Sequence, residues 1–127
     1  MNSIEMPKSE ELEIKVLAAL INDKDAIHII SSFLQPSSFY NIKNRLIYST
    51  ARDLYNSSKI PDMSLVAAEL TDKVDLLYIT DIALDYCGLD VLPDYCKLLK
   101  ELEMRRDMLA GISRLQKAAD LDNDIFD

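Results

Sequence analysis

An all-α fold is predicted by three observations. Apolar residues recur at three- and four-residue spacing along nearly the whole chain. β-Branched residues nowhere alternate with polar ones over a useful stretch. Only two glycines, Gly88 and Gly111, interrupt 127 residues. The expected architecture is a helical head of about five helices followed by one long helix. The head takes residues 1–88. The long helix takes 89–120 and packs both on the head and on a partner subunit, and 121–127 form an acidic tail.

The elements follow in order. Pro7-Lys8-Ser9 followed by Glu10-Glu11 marks a helix start, with Ser9 as N-cap and two acids complementing the helix dipole. Leu12, Val16, Ala19 and Leu20 line one face, broadened by Ile14, Leu17 and Ile21, and the helix stops near Asn22. A second helix, Asp25 to Leu34, carries Ile27, Ile30, Phe33 and Leu34, and Pro36 with its serines breaks the chain. The third runs from Tyr40 or Ile42 to Ser57 on a stripe of Ile47, Ala51, Leu54 and Tyr55, flanked by Tyr48. After a Pro61-Asp62 turn, Asp62 or Ser64 caps a short helix, Leu65 to Leu70. Another covers Leu76 to Tyr86 and stops at Gly88 as its left-handed C-terminal residue.

The last helix has the clearest pattern. Asp90 can cap it and Pro93 sits in its first turn, where a missing N–H is tolerated. Tyr95, Leu98/Leu99, Leu102, Met108/Leu109, Ile112 and Leu115 keep the helical period, and Glu101 to Arg105 is a favourably oriented i,i+4 pair. Unbroken to Ala119, the helix is about 40 Å long. That is longer than a domain of this size covers on every apolar face, so part of it projects toward another chain. Gly111 marks a close helix approach or a bend. Ile125 and Phe126 would be left wet at the end of the chain. They read either as a chain cut where another element begins, or as a frayed end docking on its own domain.

Composition sets the class. A length of 127 residues fits one domain of roughly 100–200 residues, and 49% apolar with 28% charged residues excludes a disordered chain. No apolar run reaches the length of a membrane span, and Met1 to Lys8 has no secretory pattern, so a cytoplasmic protein is expected. The net charge of −8 repels phosphate at long range and argues against a DNA-binding helix-turn-helix unit. Cys87 and Cys96 are read as reduced, buried thiols, with no CxxC pair and one histidine to suggest zinc.

No P-loop, GxGxxG, HExxH or GxSxG occurs, so no catalytic, cofactor-binding or metal-binding residue is assigned. His28, between Ile27 and Ile29, reads as a partly buried structural residue, and Glu10-Glu11 and Asp122/Asp124 as solvated or dipole-complementing acids. Lys97, Lys100, Arg105, Arg106, Arg114 and Lys117 make the last helix the most basic element. They form either a solvated face with salt bridges or a surface for an acidic partner.

The order of these signals resembles the N-terminal domain of DnaB-type replicative DNA helicases. The run Pro7-Lys8-Ser9-Glu10-Glu11-Leu12-Glu13-Ile14-Lys15-Val16-Leu17-Ala18-Ala19-Leu20-Ile21 matches that family's proline, polar cap and acid-led helix. Leu34, Phe39-Tyr40 and Asn44-Arg45-Leu46-Ile47-Tyr48 follow. Then come Pro61-Asp62-Met63-Ser64-Leu65-Val66 through Leu70, Tyr95-Cys96-Lys97-Leu98-Leu99, and Arg105-Arg106-Asp107-Met108-Leu109. No single motif is specific; the ordered set over nearly the whole chain is. Ala18, Asn44 and Cys96 stand where glycine, histidine and alanine are common.

The resemblance implies a helical head whose long last helix is the first arm of a helical hairpin, with the acidic tail entering its turn or a linker. Hairpins pair between subunits, and six domains form a collar on a ring of motor domains that use ATP and Mg²⁺ to unwind DNA. The implied partners are a second copy of the chain, a DnaG-type primase and a helicase loader, with DNA reached only through the full assembly and no membrane. The expected subunit or partner interface is drawn from Tyr95, Leu98, Leu99, Leu102, Met108, Ile112 and Leu115, some of which must instead pack on the head. Tyr95→Ala is expected to weaken self-association and leave helix content intact. The competing reading is a stand-alone acidic α-helical adaptor that binds a protein partner through the same helix.

Overall fold

The computed structural model describes residues 6–126, and side chains as far as residue 122. The described residues form α1 (Glu10–Asn22), α2 (Ala26–Phe33), a 3-10 turn (Pro36–Ser38), α3 (Ile42–Asn56), α4 (Met63–Glu69), α5 (Leu76–Ala83) and α6 (Leu92–Phe126). None of these helices is long and apolar enough to cross a membrane.

Short polar residues set the helix starts by accepting the otherwise orphaned first-turn N–H groups. Ser9 Oγ accepts from Leu12 N–H at 3.2 Å. Asn41 Oδ1 accepts from Lys43 and Asn44 at 2.9 and 3.2 Å. Asp62 takes Leu65 N–H at 2.9 Å and Asp75 takes Leu77 N–H at 3.2 Å. Of the two candidates for α4, the cap is therefore Asp62. Asp90 does not take the expected role, because α6 begins at Leu92 and places Val91 in the capping position.

α1 is the axis of the head. It touches all five other helices, and from Val16 to Ile21 every residue is buried. A single apolar stripe is the mark of a helix with one wet face; this one has no wet face from Val16 to Ile21. Around it, Ile27 and Ile30 of α2, Ile47, Tyr48, Ala51 and Leu54 of α3, Val66 of α4, Ile79 and Ile82 of α5, and Leu92, Cys96 and Leu99 of α6 close one core. Tyr48, expected at the edge of its stripe, is fully buried. Its hydroxyl donates to Leu34 O at 2.7 Å, and burial pushes it up to about 12. Tyr55, expected inside, is 39% exposed and meets His28 edge-on at 5.2 Å.

Three further expectations are corrected. α5 ends at Ala83, one turn early, and Gly88 sits in the loop beyond it with φ +97°. Its left-handed backbone serves that loop and does not terminate the helix. Cys87 in the same loop is exposed, and only Cys96 is buried, its thiol pushed up to about 12 by burial. His28 is exposed, its ring within 3.1 Å of the Tyr55 hydroxyl. Cys87 is exposed because the helix ends before it, and His28 because a helical period does not say which face meets water.

α6 runs unbroken through 35 residues, about 50 Å at 1.5 Å per residue. It passes through Gly111 without interruption and through the acidic segment expected to leave the helix. The side chains of residues 123–127, Ile125 and Phe126 included, lie outside the described residues, as does the segment 1–5.

Candidate assembly surface

α6 has two halves with different surroundings. The first lies on α1, α2 and the 3-10 turn. The second leaves the head: from Asp107 to Asp122 no side chain is buried, and from Ile112 to Asp122 every residue is exposed.

Two buried ionic side chains fasten the first half. Glu103 is 3% exposed. Its carboxylate accepts hydrogen bonds from Ser37 Oγ and Ser38 Oγ, each at 2.8 Å, from Gln35 Nε2 at 3.0 Å and from Lys100 Nζ at 2.9 Å. Burial pushes this carboxyl up, but the bonds from Gln35, Lys100, Ser37 and Ser38 together outweigh burial and hold it down at about 2. One turn on, Arg106 donates to Pro7 O at 2.9 Å and to Ser38 O at 3.1 Å, and lies over the Tyr40 ring at 5.5 Å. The 3-10 turn and the segment before α1 are thus both tied to α6. Among the basic residues of α6, Arg106 is a structural strut and Lys100 is engaged with Glu103. The expected Glu101–Arg105 pair is not formed among the described ion pairs.

A second buried carboxylate, Glu13 of α1, accepts from Tyr40 N–H at 2.9 Å, Asn41 N–H at 3.3 Å and Asn44 Nδ2 at 2.9 Å. Asn44 in turn accepts from the Tyr78 hydroxyl. This joins α1, the start of α3 and α5, and it holds the head as one body under α6.

At about 100° per residue, Leu92, Cys96, Leu99, Glu103 and Arg106 share the face of α6 that meets the head. Met104, Met108, Ile112 and Leu115 fall within an arc of about 80° centred about 150° away. Their exposures are 57%, 66%, 49% and 72%. One continuous apolar stripe therefore faces away from the head, beginning at Met104 and running along the projecting half. The seven expected interface residues divide around this geometry. Leu99 is 1% exposed and belongs to the core. Tyr95 and Leu102 are half-buried and pack against that core. Leu98 is 45% exposed on the flank. Met108, Ile112 and Leu115 lie on the outward stripe.

Met104 belongs to the same stripe and was missed; the i,i+4 step back from Met108 was the signal that could have found it. Met6, from the segment before α1, sits beside Leu109 and Ile112 and lines a shallow groove with them. Gly111 carries no close neighbour: a Cβ there would meet only Arg114 Nη2, at 3.8 Å.

Among the described residues no group of three or more His, Cys, Asp or Glu side chains is placed to hold a metal ion. The surface that stands out among the described residues is therefore the apolar stripe of Met104, Met108, Ile112 and Leu115, with Met6 beside Ile112, carried on a helix braced by buried polar contacts.

The family model for the DnaB-like helicase N-terminal domain matches residues 5–101. The crystal structure of the N-terminal domain of DnaB helicase from Mycobacterium tuberculosis has a similar fold, with a TM-score of 0.88 at 22% sequence identity. That similarity covers 94% of this chain and 89% of that one. No curated protein sequence matches the chain.

Proposed function

Because this chain belongs to the DnaB-like helicase N-terminal domain family, we propose that it is the assembly and partner-docking domain of a replicative DNA helicase. The observation that carries the reading is the outward stripe of Met104, Met108, Ile112 and Leu115. Large apolar side chains lined up on one face of a projecting helix lower their free energy by leaving water together, at about 25 cal/mol per Å² removed. A second copy of the same helix presents a self-complementary stripe. Pairing along α6 makes a dimer, and dimers related by rotation make a collar.

In this reading the head is the docking body for a DnaG-type primase and a helicase loader, and DNA is reached only through the assembly. A cytoplasmic location goes with that role. ATP and Mg²⁺ belong to a motor domain. The two glycines of this chain do not form a phosphate-cradling loop, so no step of nucleotide chemistry runs through these residues.

Sedimentation equilibrium tests the assembly half. The chain is expected to show a concentration-dependent dimer. Met108→Glu with Ile112→Glu should give a monomer of unchanged helix content, because both side chains are exposed in the single chain. A monomer at every concentration for the unaltered chain sinks pairing along this stripe. Titration with the purified helicase-binding domain of a DnaG-type primase tests the docking half.

A further inference from the structure

On the side of the head formed by α1 and α5 lies a second apolar surface that the stripe on α6 does not reach. Ile14, Tyr78 and Ile82 floor an open groove of about 540 Å³, and Glu11, Asp81 and Asp85 rim it. On the outer shoulder of α5, just beyond Asp81, Leu77 and Leu84 are 65% and 80% exposed. They are one heptad apart, so they share a face. We infer that this groove docks an amphipathic helix of a protein partner whose apolar residues are flanked by lysine or arginine.

Charge complementarity selects that occupant. Glu11 and Asp81 have no ion pair among the described residues, whereas Asp85 is held by Lys15 at 3.6 Å and Lys43 lies over the Tyr78 ring at 5.2 Å. Two free carboxylates thus flank an apolar floor, on a chain whose net charge is −8. An anionic ligand or a nucleic acid is repelled from such a rim, and a basic helix is steered to it. A second copy of this chain fits poorly. From Leu92 to Asp122 its α6 carries six lysines and arginines against six aspartates and glutamates, so the helix as a whole offers no basic excess. Leucine side chains set at helical spacing on the partner would meet Ile14, Tyr78 and Ile82, with Leu77 and Leu84 extending the contact over the shoulder. The inference assigns a face to the docking half of the proposed function and rests on that half alone; pairing along α6 is not required for it.

The probe is a synthetic peptide of about four helical turns, leucine at i, i+3, i+4 and i+7 and lysine on both flanks. It is titrated into the full chain by NMR. The expected result is shift changes at Ile14, Tyr78, Ile82, Leu77 and Leu84, with affinity lowered about tenfold or more in the doubly substituted Glu11→Lys, Asp81→Lys chain. Both side chains are exposed, so that variant is expected to fold. A peptide with serine for leucine, or glutamate for lysine, should lose binding to a similar degree. Equal binding of the serine peptide would show that charge alone is at work and overturn the site. So would shifts confined to the α6 stripe. Shifts at Ile14, Tyr78 and Ile82 that grow with protein concentration without peptide would put a second copy in the groove, and also overturn it. The same variant is then titrated with the primase domain. Absence of primase binding to any chain, with the peptide response intact, removes that docking partner and leaves the groove standing. Loss of the peptide response with primase binding retained removes the groove alone.

Discussion

Glu103 shows how one side chain can set the geometry of a whole helix. A buried carboxylate is costly without partners, and here four donors converge on it, two from the 3-10 turn and a third from Gln35 just before it. Its pKa is low in the folded chain, about 2 against an ordinary 4.5, so its contribution to stability is full above pH 4.5. That contribution is lost as the pH falls from there toward 2. Glu103→Gln is expected to lower stability by roughly 2–3 kcal/mol at neutral pH, because an amide NH₂ would face donors. It should also flatten the acid limb of the stability curve across that window. Urea melts of both chains between pH 2 and 7 measure both effects; a variant with unchanged midpoint and pH profile would remove Glu103 from this role. Nothing in the sequence around position 103 distinguishes this glutamate from Glu101, which is exposed. Three of its four partners lie more than sixty positions away, so its burial is a property of how the 3-10 turn meets α6.

At the scale of elements, α6 combines a packed half and a free half, and substitutions should act differently in each. Tyr95 packs against the core, so Tyr95→Ala is expected to cost about 2 kcal/mol of folding stability. Ile112→Glu should leave the thermal midpoint of the head unchanged and weaken association. Melting curves paired with sedimentation on the two variants separate the roles. If Tyr95→Ala leaves stability unaltered and abolishes association, the assignment of these two positions is reversed. Gly111 is a test of the free half. With only the flexible Arg114 side chain in ordinary contact where its Cβ would go, Gly111→Ala should add about 1 kcal/mol of helix stability. Circular dichroism would register it as higher residual helicity of the projecting half, while the head melts as before. The start of α1 at Ser9 was legible from local cap chemistry, which left α4 open between Asp62 and Ser64; the structure caps it with Asp62 and begins it at Met63. The end of α5 was not legible, because Gly88 is a turn signal that belongs to the following loop.

For the molecule as a whole, apolar burial and net charge act in opposite directions on self-association. Two chains of net charge −8 repel, and salt screens that repulsion while leaving the apolar stripe intact. The dimer is therefore expected to tighten as salt is raised from low to physiological concentration. Binding of the basic peptide at the α1–α5 groove should weaken over the same range. Opposite salt slopes, read by sedimentation and by NMR titration on one preparation, would separate the two surfaces. A dimer that dissociates with salt would mean that ion pairs, and not the Met104–Leu115 stripe, hold it.

The helical class, the order of the helices, most of their starts and the family could be read from residue spacing, cap residues and the ordered motifs from Pro7 to Leu109. Those features depend on interactions within a few positions of one another, which the linear chain displays directly. The burial of α1 on all sides from Val16 to Ile21, the inward turn of Tyr48, the exposure of Cys87 and His28, and the roles of Glu13, Glu103 and Arg106 depend on contacts between distant segments. So does the division of α6, where a single apolar periodicity contains both a core face and an outward stripe. Spacing places residues on faces of a helix; only the packing of the other helices establishes which face meets the head and which is left for a partner.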